Sequence, residues 1–279
     1  MKDDIILEIE SLKRSFVRNI INIRGDSEDE RFFIIDDLNL RIPKGKITAL
    51  IGGNGAGKTS LFNIISGFMV ANEGKILFGN NGSDENLLRK KPDIIAKIGV
   101  GRMFQDNHIF HNMTILENML IADDNKFGES PFVSFFKLNK SLNNERYKIE
   151  KAKNIFINLF GNDNPFWDKR FDKADSLSYG QQRLLGLARL LMGDYKLLLL
   201  DEPTSGVNPG TIEQIKNIIK LFVKDNGITV FLIEHNMKFV LDTADYCLFM
   251  SHGKITASGV PEFVISNENV KKTYMGALC

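Results

Sequence analysis

The chain is poor in cysteine, in net charge and in long apolar runs, and each scarcity removes a class of protein. Two cysteines, Cys247 and Cys279, cannot build the disulfide framework of a small secreted domain, and both suit a reducing cytosol. Cys247 lies in an apolar run and reads as core, whereas Cys279, the last residue, reads as a free thiol. With 36 Lys and Arg against 35 Asp and Glu, the net charge is +1, which gives no electrostatic case for a nucleic-acid partner. No apolar stretch approaches the ~18–20 residues that span a bilayer, so any membrane process served here needs another chain for the spanning part. Met1-Lys2-Asp3-Asp4 is too acidic to open a secretory signal. Internal repeats, heptad runs and low-complexity linkers are missing as well. What remains is 279 residues, 43% hydrophobic and 25% charged, an ordinary soluble composition with room for a sizeable core and one or two subdomains.

The most informative segment present is Gly52-Gly53-Asn54-Gly55-Ala56-Gly57-Lys58-Thr59, followed by Ser60. It fits the phosphate-binding pattern G-x-x-x-x-G-K-[ST]. Its glycines let successive backbone N–H groups turn inward toward phosphate oxygens. Lys58 adds a positive charge for the β and γ phosphates, and Thr59 offers a hydroxyl to Mg²⁺. The flanks agree. Lys46 to Ile51 reads as a buried strand, and Thr59 to Ser66 reads as a helix stopped by Gly67, so the phosphates would sit on a helix N-terminus.

Ile5–Ile9 and Phe32–Ile42 read as antiparallel strands around a polar hairpin tip, Arg24–Glu30, and Gly74–Gly79 as a further short strand. From about Asp106 to Ser176 strand signals fade. There Glu145–Phe160 places Ile149, Ala152, Ile155, Phe156 and Leu159 at helical spacing, which predicts a helical insertion in an α/β domain. Leu197–Leu200 and Thr229–Ile233 are short all-apolar runs, as expected of central parallel strands. Ile212, Ile215, Ile218, Ile219 and Phe222 mark an amphipathic helix between them. Tyr246–Met250 and Lys254–Ala257 read as edge strands.

Asp201-Glu202 stands at the carboxyl end of the Leu197–Leu200 strand, where α/β sheets bind ligands. In isolation such a pair is a strand end with solvated acids. After a phosphate loop, Asp201 reads as a Mg²⁺ ligand and Glu202 as the general base for an attacking water. Ser178 sits where a helix N-cap belongs and Gln181 at the capping-box position, a complete structural reason for both. A serine, Gly180 and a bare helix N-terminus also make a second phosphate site.

Leu177-Ser178-Tyr179-Gly180-Gln181, about twenty residues before the acidic strand end, resembles the signature of ABC-type ATPases, with Tyr179 in place of the usual glycine. The resemblance implies a P-loop NTPase of the ABC ATPase fold, one domain over residues 1–279. Residues 1–104 and 193–279 would form a RecA-like core with an N-terminal antiparallel β-subdomain, and residues 105–192 a helical subdomain carrying the signature. It further implies that Gln105 contacts Mg²⁺ and reports to a membrane subunit. Ser205, Gly206 and Asn208 would belong to the D-loop, His235 would touch the γ-phosphate, and Phe16 would stack on adenine. Phe32 and Phe33 compete for that last role, as does plain core packing for Phe16. ATP and Mg²⁺ are the cofactors implied. In the family geometry two copies, or this chain and a paralogue, face head to tail. ATP on Gly52–Thr59 of one then meets Ser178, Tyr179, Gly180 and Gln181 of the other.

Within that family, the Tyr-Gly-Gln signature, Ile233-Glu234-His235-Asn236-Met237 and the ending from Lys254 to Gly276 resemble the ATPases of branched-chain amino acid importers. This implies a peripheral subunit on the cytoplasmic face of the inner membrane, working with integral-membrane permease subunits and indirectly with a solute-binding protein. Urea-type importers and the lipopolysaccharide-export ATPase share the general pattern. A non-transport ABC ATPase is disfavoured by the single motif set and the lack of a coiled coil, and a binding module without turnover by the presence of Glu202 and His235. Phe132, Phe135 and Phe136 lie in a polar setting. They either meet a permease helix or pack within the insertion, the latter being favoured.

Overall fold

The apolar runs become two sheets in the computed structural model, which describes residues 4–21, 27–80, 83–106, 109–123 and 138–275. Strands β1 (Ile5–Ile21) and β2 (Ser27–Pro43) pair antiparallel along their length. Residues 27–30, expected in the hairpin tip, are strand instead, paired as Ile21↔Ser27 to Arg18↔Glu30. Backbone pairing does not require apolar side chains, so composition could not announce it. Strand β3 (Ile47–Ile51) is buried throughout and leads through the phosphate loop into helix α1 (Lys58–Ile65). Strands β4 (Glu73–Asn80) and β5 (Ser83–Asn86) return to the first sheet, giving the order β2-β1-β4-β5.

Helix α2 (Pro92–Ile98) and strand β6 (Val100–Met103) follow. The helical stretch comprises α3 (Ile115–Leu120), α4 (Leu138–Phe160), α5 (Pro165–Asp168) and α6 (Tyr179–Leu190). Strand β7 (Leu197–Asp201), helix α7 (Pro209–Lys224) and strand β8 (Thr229–Ile233) restore the α/β alternation. Helix α8 (Met237–Thr243), strands β9 (Tyr246–Ser251) and β10 (Lys254–Gly259), and helices α9 (Pro261–Ser266) and α10 (Glu268–Met275) complete the described chain.

The second sheet runs β10-β9-β3-β8-β7-β6. This corrects one expectation: β9 is not an edge strand but pairs parallel with β3 on one side and antiparallel with β10 on the other. Its run of buried Cys247, Leu248, Phe249 and Met250 is the mark of a strand covered on both faces. Strand β10 alternates half-buried and exposed, as an edge does. Cys247 is fully buried, in keeping with its core reading.

The chain divides into two units, Met1–Arg102 with Lys196–Pro203 and Ile219–Cys279, and Met103–Tyr195 with Thr204–Ile218. In the first, Leu7, Ile9 and Ile35 of the antiparallel sheet share one core with Phe62 and Ile65 of α1 and with Leu199, Phe231 and Ile233. In the second, Phe156 of α4 stacks on Phe166 of α5 at 5.6 Å, and Leu184, Leu185 and Leu187 of α6 are buried. Helix α4 starts seven residues before the expected Glu145 and ends at Gly161, whose φ of 85° stops it. Phe132, Phe135 and Phe136 lie outside the described residues, as does Cys279.

Candidate functional site

The register of three parallel strands assembles the first half of the site. Leu50 of β3 lies opposite Ile233 of β8, which lies opposite Asp201 of β7. Gly52, Glu202 and His235 follow within two residues, so all three leave the sheet at one edge, the carboxyl ends of its strands.

Gly57 begins α1 with φ 102° and ψ 5°, and no side chain caps the helix. The first-turn N–H groups of a helix lack intrahelical partners, and Gly57 has no side chain with which to cap them. A Cβ on Gly57 would stand 2.7 Å from the carbonyl oxygen of Ile34, and one on Gly52 would stand 2.2 Å from that of Met250. Glycine at these two positions is therefore a packing requirement as well as a phosphate-binding pattern. Asn54, Gly55 and Thr59 are exposed, Gly53 and Ser60 half-buried, and Ala56 buried. Lys58 is buried and donates to the carbonyl oxygens of Gly52 at 2.8 Å and Gly53 at 2.9 Å. An ammonium has three N–H donors, so one remains for an anion. Burial holds Lys58 below its ordinary value, while Glu202 and then Asp201 pull it back up.

Asp201 is fully buried at the end of β7, and neither carboxylate oxygen has a hydrogen-bond partner among the described residues. Arg102 of β6 stands 3.6 Å from Asp201 Oδ2, an ion pair too long for a hydrogen bond, and also donates to Ser66 Oγ at 2.6 Å. Burial pushes the Asp201 carboxyl up, against the opposing pull of Arg102.

Glu202 adopts φ 47°, a left-handed conformation uncommon for a non-glycine residue. Its N–H donates to the Ile233 carbonyl at 3.0 Å, and its Oε1 lies 3.2 Å from His235 Nε2. A carboxylate only accepts, so Nε2–H of His235 is the donor. Burial, and then Lys58, hold the imidazole below its ordinary value of 6.5, against Glu202, which favours the charged form. Glu234, nearly fully buried, accepts from the N–H groups of His235 at 3.1 Å and Asn236 at 3.3 Å and so fixes the turn that presents His235.

Phe16 pairs with Phe32 across β1 and β2, rings stacked at 5.9 Å, with the Arg14 guanidinium 4.3 Å from the Phe16 ring centre. Ile34, two residues beyond Phe32, is the residue against which Gly57 packs. The alternatives Phe16 and Phe32 are thus one aromatic pair on the strands beside the phosphate loop.

In the second unit, Ser178 and Gln181 make the capping box of α6: Gln181 N–H donates to Ser178 Oγ at 3.4 Å, and Ser178 N–H to Gln181 Oε1 at 3.0 Å. Tyr179 is 46% exposed. Gly180 lies against Thr211, where a Cβ would meet Oγ1 at 2.8 Å, and Gly206 lies against the Tyr179 ring. Ser205 is half-buried. Asn208 accepts from Thr211 N–H at 3.0 Å at the start of α7, a local capping role. Gln105 is exposed, and its carbonyl oxygen accepts from Arg183 of α6.

Sequence reasoning did not single out Arg102, Glu234 or Arg183. Only Glu234 left a local signal, an acid at the end of an apolar strand beside His235.

The sequence model of the ABC transporter family matches residues 35–205. A probable branched-chain amino acid transport ATP-binding protein, LivG, of Archaeoglobus fulgidus is 37% identical over 87% of this chain and 90% of that protein. Its counterpart in Methanocaldococcus jannaschii is 36% identical over 92% of this chain and 95% of that one. Among solved structures, a nucleotide-free ATP-binding cassette from an ABC transporter superposes with a TM-score of 0.76 at 32% identity, covering 97% of this chain and 98% of that one. The ADP conformation of such a cassette superposes at 0.75, also at 32% identity, over 98% and 99%. The mixed sheets, phosphate loop and helical unit are accordingly the P-loop ABC ATPase fold. The chain belongs to the ABC transporter family, as an ATPase cassette related to the ATP-binding proteins of branched-chain amino acid transport.

Proposed function

We propose that this cassette powers the import of branched-chain amino acids through separate integral-membrane permease subunits, held peripherally at the cytoplasmic face of the membrane, with a solute-binding protein delivering the solute. The observation carrying this reading is the extent of the match to relatives named for that transport, 87% and 92% of the chain at 37% and 36% identity. No helix among the described residues is long and apolar enough to cross a membrane.

ATP phosphates would lie on Gly52–Ser60, cradled by loop N–H groups and Lys58. Glu202 would take the proton of the attacking water, and His235, presented by the turn that Glu234 fixes, would hold Glu202 through Nε2–H beside the γ-phosphate. Phe16 and Phe32 would receive the base. The residues suit Mg²⁺: Asp201 offers two buried oxygens without hydrogen-bond partners, Thr59 an exposed hydroxyl, and resemblance adds Gln105. Mg²⁺ in nucleotide sites keeps several waters and takes much of its coordination from substrate phosphates, so few protein ligands are needed. When bound, Mg²⁺ neutralises charge on the phosphate oxygens.

Two cassettes, identical or paralogous, would close head to tail on ATP, with Ser178, Tyr179, Gly180 and Gln181 of one completing the site of the other and Ser205, Gly206 and Asn208 nearby. The exposed start of α6 supports this. The test is uptake of labelled leucine, isoleucine and valine by cells whose only copy carries Glu202→Gln. Loss of that uptake is expected. Intact branched-chain uptake with loss of urea uptake, or with lipopolysaccharide retained in the inner membrane, would replace the solute.

A further inference from the structure

Arg183 is fully buried on α6, and among the described residues no carboxylate pairs with it. Its Nη1 donates to the Phe104 carbonyl at 3.3 Å and its Nη2 to the Gln105 carbonyl. Consecutive carbonyls of an extended chain point to opposite sides. Both can reach one guanidinium only where the backbone bends, and a bend is what residues 105 and 106 show. The planar fork of arginine suits two acceptors side by side, which a single ammonium does not match. The guanidinium carbon also lies 5.6 Å from the Tyr179 ring centre, one helical turn earlier, and that ring abuts Gly206. All of these residues belong to the second unit. A buried cation held by carbonyl oxygens and a ring, with no carboxylate among the described residues, is a poor device for stability, since burying charge is costly and apolar groups fill such space better.

We propose that Arg183 is a positioning residue. It fixes the backbone bend from which the Gln105 side chain departs and ties that bend, through Tyr179, to the Gly206 loop. The proposal rests on the reading of Gln105 as a contributor to hydrolysis and goes beyond it, because neither composition nor the motif pattern assigns Arg183 a task.

The experiment is a double-mutant cycle on the purified chain with Arg183→Met, Gln105→Ala and their combination, measuring kcat, KM for ATP and the Mg²⁺ dependence of ATP binding. Gln105→Ala keeps the carbonyl that Arg183 holds, so it removes the positioned side chain without removing the clamp. Arg183→Met is expected to lower kcat about tenfold with KM changed less than about threefold. In the Gln105→Ala background it should cost less than about twofold. Multiplying defects would overturn the proposal and leave the reading of Gln105 standing. A Gln105→Ala chain with unchanged kcat and Mg²⁺ dependence would overturn both. Should Arg183→Met fail to fold, Arg183→Lys keeps the charge. Full kcat in Arg183→Lys would also refute the fork argument.

Discussion

Replacing Arg102 with methionine isolates the buried ion pair that faces the phosphate loop. The side chains of Arg102 and Asp201 are 5% and 1% exposed and 3.6 Å apart. At an effective dielectric of about 20 that separation gives about 4–5 kcal/mol of attraction. Desolvating each ion costs several kcal/mol, so the intact pair is near neutral for stability while breaking it is not. Arg102→Met leaves a fully buried carboxylate whose oxygens have no hydrogen-bond donor, at a cost of about 3–5 kcal/mol. Asp201→Leu keeps the bond from the guanidinium to the Ser66 hydroxyl and its place over the Phe68 ring, so it should cost less, about 1–3 kcal/mol. The double variant removes both charges and should return to within about 2 kcal/mol of the parent. Urea unfolding followed by far-ultraviolet circular dichroism at about pH 7 measures all four chains. Single losses that simply add, within about 0.5 kcal/mol, would refute the pairing.

The pH dependence has a defined sign. Burial raises the folded Asp201 carboxyl above its ordinary 3.8, so the folded state binds its proton more tightly than the unfolded state. Its penalty is therefore absent below the unfolded value and grows as pH rises through the folded one. Arg102 opposes that rise, so the deficit of Arg102→Met should shrink as pH falls toward about 4–5.

Glu202→Gln should lower kcat by about 10²–10⁴ while ATP binding persists, measured by phosphate release and nucleotide titration; rapid turnover would remove Glu202 from its role. Gly57→Ala forces a Cβ to within 2.7 Å of the Ile34 carbonyl at φ 102°, so it should lose about 1–3 kcal/mol from strain alone and weaken ATP binding, with an unchanged melting temperature as the contrary result. Burial pushes the Cys247 thiol up to about 12. In a Cys279→Ser background it should resist iodoacetamide until the chain unfolds, and labelling of the native chain at the rate of a free thiol would contradict its burial.

Much of the fold was legible because its signals are contiguous. Leu197–Asp201 and Thr229–Ile233 are buried at every position, and such runs announce central parallel strands without help from the rest of the chain. Strand β6 escaped notice because it has four residues and holds Arg102, whose charge breaks the apolar run. Strand β9 carried the same apolar signature as β7, yet its position between β10 and β3 depends on strand order, which no local pattern encodes. At Ser178 and Gln181 the helix-capping reading held in full, as both hydrogen bonds of the capping box are formed.

The sequence by itself determined the chemistry on offer: a phosphate loop of adjacent residues, an acidic pair one bond apart, and a family resemblance carried by short motifs. Those elements work over a few residues, where backbone geometry follows directly from residue type. Tertiary structure alone decided which side chains find their partners. Arg102 finds Asp201 and Arg183 finds Gln105 across long stretches of chain, and Phe16 finds Phe32 by strand register. Only packing places such residues together, and for Arg102 and Asp201 only the exclusion of water makes their charges matter.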